Sequence, residues 1–264
     1  MSEVQFATAS DGTPIAYRLE GCAEAPAIVF SHSLGVTSDT WDPQVAALGD
    51  SFRIVRYDAR GHGRSGAPAA EYDIGLVGRD ALAVMDAAGM DAAHFVGLSL
   101  GGMVGMWIGI HAPARLGRLV LANTTPRIPL PREAWNQRIA AASSEGLAAI
   151  AVQTVDRWLG DEFKSRDPRG REAIVATMRA MSPAGYAGTC AVLREADQRG
   201  EIGRIAAPTL VITGAGDVST PPAAAEALAA AIPGARAAVI PGAGHLSNVE
   251  RPEDFSRLIR EFLA

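Results

Sequence analysis

The feature that most restricts how this chain can fold is a set of short apolar runs that do not alternate. Ala27-Ile28-Val29-Phe30, Phe52 to Tyr57, His94 to Leu98, Leu119-Val120-Leu121, Leu210-Val211-Ile212 and Ala237 to Ile240 are of this kind. A strand that is apolar on both faces must be covered on both, which suits a parallel sheet with helices on either side. Ahead of them, Val4 to Ala7 and Thr13 to Arg18 flank Asp11-Gly12, a pair suited to a hairpin turn at the front of the sheet.

Helical patterns fill most of the gaps. Asp73 to Ala88 has an N-cap candidate in Asp73 and a stop in Gly89. At the end of the chain Pro252 fits a first turn, and Phe255, Leu258, Ile259, Phe262 and Leu263 recur at helical spacing. Strand and helix therefore alternate, which predicts an α/β fold with an open, mostly parallel central sheet flanked by helices. With 264 residues, 48% of them hydrophobic, the chain can bury roughly 70% of its extended surface, enough for one substantial core.

From Pro126 to about Ile205 no strand is expected. Helical patterns follow one another at Glu133 to Ala142, Gly146 to Leu159, Arg171 to Met181 and Pro183 to Ala196. Because Thr209 to Gly214 resumes the sheet, the stretch reads as a helical cap inserted between sheet strands, over the carboxyl edge where such folds bind ligands. The expected organisation is a core of residues 1–125 and 206–264 with a cap, or lid, of residues 126–205.

Twenty-four basic against twenty-nine acidic side chains leave a net charge of -5, and no run of five like charges occurs, so nucleic acid is not an expected partner. The start, Met1-Ser2-Glu3-Val4-Gln5, has neither a basic stretch nor an apolar block, and no apolar run reaches membrane-spanning length. The expectation is a cytoplasmic protein acting on a small molecule, without membrane attachment; the sequence carries no signal of oligomeric state. Cys22 and Cys190 are the only cysteines and neither has metal-ligand spacing, so both are expected as plain thiols, with no metal and no cofactor.

The strongest chemical signal follows the strand His94 to Leu98. Gly97-Leu98-Ser99-Leu100-Gly101-Gly102 leads into an apolar helix from Met103 to Ile110, which is the setting of a nucleophile elbow: small neighbours let a strained turn raise the serine hydroxyl at the sheet edge. A serine needs a base, and the base needs an acid to fix its tautomer. His245, in Pro241-Gly242-Ala243-Gly244-His245 after the last strand, is the leading base; His32 and His62 are loop residues at the same edge and remain alternatives. His94 opens a strand at the opposite edge, and His111 sits at a helix end where a cation is favourable in any case.

Asp217, in Gly214-Ala215-Gly216-Asp217 just past a strand, is the leading acid and gives the chain order serine, aspartate, histidine. Asp58 also ends a strand, where an ion pair shaping its own loop is the favoured reading. Asn123, after Leu119 to Leu121, stands where some such enzymes carry an alternative acid and cannot serve as one. The oxyanion requires two backbone donors: Leu100 supplies the first by position, and Leu34, with Ser33 as the fallback, supplies the second from His32-Ser33-Leu34-Gly35.

With these residues in place the chain resembles the α/β-hydrolase superfamily, and within it 3-oxoadipate enol-lactonases of aromatic-compound catabolism, the β-ketoadipate pathway. The resemblance rests on His32-Ser33-Leu34-Gly35, Trp41-Asp42-Pro43-Gln44, Arg56-Tyr57-Asp58-Ala59-Arg60-Gly61-His62-Gly63, the elbow through Met103, Leu121-Ala122-Asn123-Thr124 and Gly242-Ala243-Gly244-His245. It covers nearly the full length and weakens inside the cap. It implies Ser99, Asp217 and His245 as a catalytic triad, the amides of Leu34 and Leu100 as an oxyanion hole, and no cofactor. The chain departs from the family at His32, where asparagine is frequent.

Haloalkane dehalogenases and epoxide hydrolases resemble the fold but use an aspartate nucleophile, where this chain has Ser99. The activity implied is a serine hydrolase opening a small enol-lactone with a free carboxylate. A broader carboxylesterase or cofactor-free perhydrolase is the alternative, and a ligand receptor on the same fold a distant one. In the cap, Trp135 and Trp158 offer apolar walls, with Trp135 preferred, and Arg127, Arg132 and Arg138 offer charge for a substrate carboxylate.

Overall fold

The computed structural model describes residues 2–264. Eight strands form one sheet: β1 Gln5–Thr8, β2 Pro14–Gly21, β3 Ala27–Ser31, β4 Arg53–Tyr57, β5 Ala93–Leu98, β6 Leu116–Ala122, β7 Thr209–Gly214 and β8 Arg236–Ile240, in the order β1-β2-β4-β3-β5-β6-β7-β8. The first two strands pair antiparallel, β2 meets β4 antiparallel, and every pair from β4 across to β8 is parallel. Ile28, Val29, Phe30, Phe95, Val96, Leu119, Val120, Leu121, Val211 and Ile212 are fully buried, as strands covered on both faces must be.

Six helices cover the sheet: α1 Asp42–Leu48, α2 Ile74–Ala87, α3 Leu100–His111, α9 Pro222–Ala231, α10 Ser247–Glu250 and α11 Pro252–Leu263. The Asp73 carboxylate accepts the Leu76 N–H at 2.8 Å at the start of α2, and Gly89, at φ 64°, takes the left-handed conformation that ends it. Phe255, Ile259, Phe262 and Leu263 form the buried stripe of α11. Between β6 and β7 the chain runs through α4 Arg132–Glu145, α5 Ala148–Trp158, α6 Asp161–Arg166, α7 Pro168–Ala180 and α8 Pro183–Glu195. The sequence patterns anticipate four of these; α6, six residues long, is too short to show a period.

The parallel register sets the site. Ser31 pairs with both Tyr57 and Gly97, Gly97 with Leu121, and Leu121 with Val211, so the residues that follow these strands emerge in a row at one edge. Those residues are His32, Asp58, Ser99, Asn123 and the turn leading to Asp217. The loop after β4 is pinned from below by Arg60, whose guanidinium lies buried in a bidentate pair with Asp80 of α2 at 2.5 and 2.7 Å and reaches Asp11 at 2.9 Å.

Candidate active site

Ser99 lies between β5 and α3 at φ 57°, ψ −110°, a conformation that non-glycine residues rarely hold. Its backbone is over-determined. Its N–H bonds the Ala122 carbonyl at 2.8 Å, and its own carbonyl accepts the Thr124 hydroxyl at 2.8 Å. The flanking glycines follow from close approach: a Cβ on Gly97 would come within 2.1 Å of the Gly101 carbonyl oxygen, and one on Gly101 within 2.1 Å of that of Ser31. Any other residue at either place would push the turn away from the sheet edge.

Asp217 and His245 meet through an Nδ1 to Oδ2 hydrogen bond of 2.8 Å, both side chains being almost wholly buried. Asp217 Oδ2 also accepts from Thr220 Oγ1 at 2.6 Å and Asn123 Nδ2 at 2.9 Å, while Oδ1 accepts the N–H groups of Ser219 and Thr220 at 2.8 and 3.0 Å. Burial pushes the Asp217 carboxyl up, but the His245 charge and hydrogen bonds from His245, Thr220 and Asn123 outweigh it and hold the group far below the usual carboxylate range. With an ionised acceptor on Nδ1, a neutral imidazole keeps its proton there and leaves Nε2 as a base.

The alternative bases are occupied elsewhere. His32 Nδ1 bonds the Ser33 carbonyl at 2.7 Å and its Nε2 accepts the Ala59 N–H at 2.9 Å; His62 Nδ1 bonds the Arg60 carbonyl at 3.0 Å and its Nε2 accepts the Gly35 N–H at 3.0 Å. Each ring thus spends both nitrogens on backbone, and the two rings pack edge to face at 5.0 Å. Burial lowers the pKa of both, that of His62 to about 3, where a proton on the adjacent His32 ring would further disfavour a second charge. They are buried neutral struts that fix the loop carrying Leu34.

Asp58 is a correction. It makes no ion pair among the described residues; its two oxygens instead accept the N–H groups of Ser38 and Arg64 at 2.9 and 3.0 Å, joining two loops. Burial raises its carboxyl, but these amide bonds, together with His32 whenever that ring carries a proton, bring it below its ordinary value.

Both amides expected to face an oxyanion are free of protein acceptors. Among the described residues the N–H groups of Leu34 and Leu100 make no hydrogen bond, whereas the neighbouring Gly35 and Gly101 N–H groups bond His62 Nε2 and the His32 carbonyl. Ser33 keeps a buried hydroxyl with no partner among the described residues. Open N–H groups of this kind are the donors that a developing oxyanion requires.

The helical insertion reaches the site through Trp158. Its carbonyl accepts the His245 N–H at 2.7 Å, and its ring lies 5.6 Å from the imidazole. Glu250, which the sequence reading missed, clips the same junction: its buried carboxylate accepts the Gly160 N–H at 2.8 Å and the Gly244 N–H at 3.0 Å, and burial raises its pKa. Of the three candidate cap cations, Arg127 lies 3.8 Å from Asp197 and Arg132 pairs with Glu195 at 2.6 Å, both at the surface. Among the described residues Arg138 has no carboxylate partner. It donates to the Tyr186 hydroxyl and to Thr154 Oγ1 and lies over the rings of Trp135 and Tyr186. Trp135 is buried, with an indole N–H that no group among the described residues accepts. Among the described residues no cluster of His, Cys, Asp or Glu could hold a metal ion, and no helix is long and apolar enough to cross a membrane.

Known proteins share this arrangement of elements. 3-Oxoadipate enol-lactonase 1 of Acinetobacter baylyi is 36% identical over 265 residues, covering 100% of this chain and 98% of its own length. The crystal structure of the enol-lactonase from Burkholderia xenovorans superposes with a TM-score of 0.94 at 38% identity, covering 98% of this chain and 99% of that one. A RutD protein of Agrobacterium fabrum, named for carbamate hydrolysis, is 31% identical over 91% of this chain and 94% of its own. The description of the alpha/beta hydrolase fold family matches residues 26–252, and with full-length relatives above 30% identity the chain belongs to that family.

Proposed function

We propose that the protein is a serine hydrolase that opens the lactone ring of 3-oxoadipate enol-lactone to give 3-oxoadipate, with Ser99 as nucleophile, His245 as base and Asp217 as its orienting acid. The observation that carries this reading is the pairing of one strained serine with two unpartnered amides, at the edge where the Asp217–His245 pair also lies. His245 takes the Ser99 proton as the hydroxyl attacks the lactone carbonyl, and the Leu34 and Leu100 amides stabilise the tetrahedral oxyanion. The ring C–O bond then breaks, and the enol oxygen leaves with the proton from His245. The acyl chain stays on Ser99 until water, deprotonated by the same histidine, releases it.

The two similar enol-lactonases support the substrate class. In this reading the helices of residues 126–205 act as a cap that shapes the pocket, with Trp135 as an apolar wall and Arg138 as the partner of the substrate carboxylate. A broader esterase or carbamate hydrolase is the second reading, favoured by the RutD relative. Turnover of the enol-lactone measured against p-nitrophenyl esters and simple carbamates tests it. A kcat/KM for the enol-lactone at least about a hundredfold above the others, an advantage of roughly 2.7 kcal/mol, is the expected result. Equal or lower values would overturn it.

A further inference from the structure

Asn123 follows β6 in a left-handed conformation, φ 48°, and is completely buried. Asparagine is among the few non-glycine residues that tolerate this backbone. Its backbone N–H bonds the Ile212 carbonyl of β7 at 2.8 Å, and its side chain then bridges two further segments, the turn after β7 and the loop around His245. Nδ2 donates to Asp217 Oδ2 at 2.9 Å and to the Gly244 carbonyl at 3.1 Å, and Oδ1 accepts the Ser247 hydroxyl at 2.5 Å. Two acceptors on one side and a hydroxyl on the other leave the amide a single satisfied orientation, with its NH2 group toward the carboxylate.

We infer that Asn123 is a positioning residue for the acid, holding Asp217 Oδ2 in line with His245 Nδ1 while tying down the backbone just before His245. The inference rests on the triad proposed above. Thr220 shows why such a brace is needed: its hydroxyl donates to Oδ2 at 2.6 Å and lies 3.5 Å from His245 Nδ1, so a carboxylate free to turn toward Thr220 would leave the imidazole line. The residue type follows from the same geometry. An aspartate at 123 would have the shape of the amide but would place a second carboxylate against Oδ2, and the two would have to share a proton. An amide offers the shape, a donor and no charge.

The test uses a reaction that does not depend on the natural substrate. A p-nitrophenyl alkylphosphonate reacts at an activated serine: the Ser99 Oγ–P bond forms, the aryl P–O bond breaks, p-nitrophenolate leaves, and the serine proton passes to His245. Asn123→Gly keeps the left-handed backbone and deletes the amide, and Ser247→Ala frees the amide to turn. Asn123→Asp keeps the shape and adds charge. In Asn123→Gly the labelling rate and kcat should fall about ten- to hundredfold with KM little changed, the effect of losing one hydrogen bond to a charged group. Ser247→Ala should fall less, and Asn123→Asp should add a titration to the pH–rate profile.

Wild-type labelling and kcat in Asn123→Gly with only a lower melting temperature would overturn the inference. If that variant does not fold, an Asn123→Asp profile that coincides with wild type, or an unchanged labelling rate in Ser247→Ala, would do the same. A wild-type protein labelled at Ser99 but inactive on the enol-lactone would remove the substrate assignment and leave Asn123 in its role. Absence of labelling at Ser99 would remove both.

Discussion

His245 gives its backbone N–H to the Trp158 carbonyl at 2.7 Å, and the two rings lie 5.6 Å apart. His245, the proposed base, is therefore held by the helical insertion as well as by the loop that follows β8. Trp158→Ala would keep the backbone bond and lose the ring. The expected cost is about 3 to 5 kcal/mol of stability, the usual range for deleting a buried large aromatic, together with a lower kcat/KM on every substrate. Urea unfolding alongside kinetics on an acidic and a neutral ester checks both. A loss confined to one substrate would mean that the ring recognises substrate rather than supporting His245.

Ser99→Ala should lower turnover by about six orders of magnitude, since nucleophile and base act as a unit. Asp217→Asn should cost about four orders through the wrong imidazole tautomer. Asp58→Asn tests the distinction between the two acids. It should lower stability, because one amide cannot accept both the Ser38 and Arg64 N–H groups, and leave most of kcat. A folded Asp58→Asn protein as inactive as Asp217→Asn would move the acid.

The pair His32 and His62 predicts an acid-sensitive fold. Both are held neutral, their pKa values lowered by burial, that of His62 to about 3. In the unfolded chain each would bind a proton near its ordinary value of about 6.5. The unfolded state thus binds more protons in between, so the stabilisation is complete above about pH 6.5 and is lost as the pH falls toward the folded-state values, by up to about 1.4 kcal/mol per pH unit for each ring. Guanidinium midpoints at pH 6.5 and 5.0 should show this slope, and His62→Gln, whose amide oxygen can still accept the Gly35 N–H, should reduce it. An unchanged slope would mean that other groups carry the acid response.

Strands and most helices were legible because burial on both faces and helical spacing are properties of neighbouring residues. The elbow was legible for the same reason: strand, glycines, serine and helix are contiguous. Contacts between distant segments were not. Three loop histidines at one sheet edge look alike until the Ala59 and Gly35 amides are seen to occupy His32 and His62. Glu250 carries no local signal, because its carboxylate accepts from Gly160, ninety positions earlier, and from Gly244. Asn123 was visible as a position where an acid can stand, but its amide's three partners come from β7's turn and the loop around His245, which only the folded chain brings together.

In the proposed function, preference for an acidic substrate rests on Arg138, a cap arginine with no carboxylate partner among the described residues. Arg127 and Arg132 face Asp197 and Glu195 at the surface, where an ion pair contributes little and leaves no charge for a ligand. Arg138 is half-buried between Trp135, Tyr186 and Thr154, and its charge, after the burial itself, helps to lower the pKa of nearby Arg157, which also has no ion-pair partner among the described residues. A cation in that setting gains from an incoming carboxylate. A charge-assisted hydrogen bond contributes about 1.5 to 3 kcal/mol, so the acidic lactone should be preferred over its methyl ester by about tenfold or more. Arg138→Gln should raise KM for the acid by a similar factor and largely spare the ester, whereas Arg127→Ala and Arg132→Ala should change neither. Trp135→Ala should weaken both substrates, because it removes apolar wall rather than charge. Steady-state kinetics on the acid and its methyl ester separate these outcomes. Equal handling of the two substrates by wild type, with no selective loss in Arg138→Gln, would make the broader esterase the better reading.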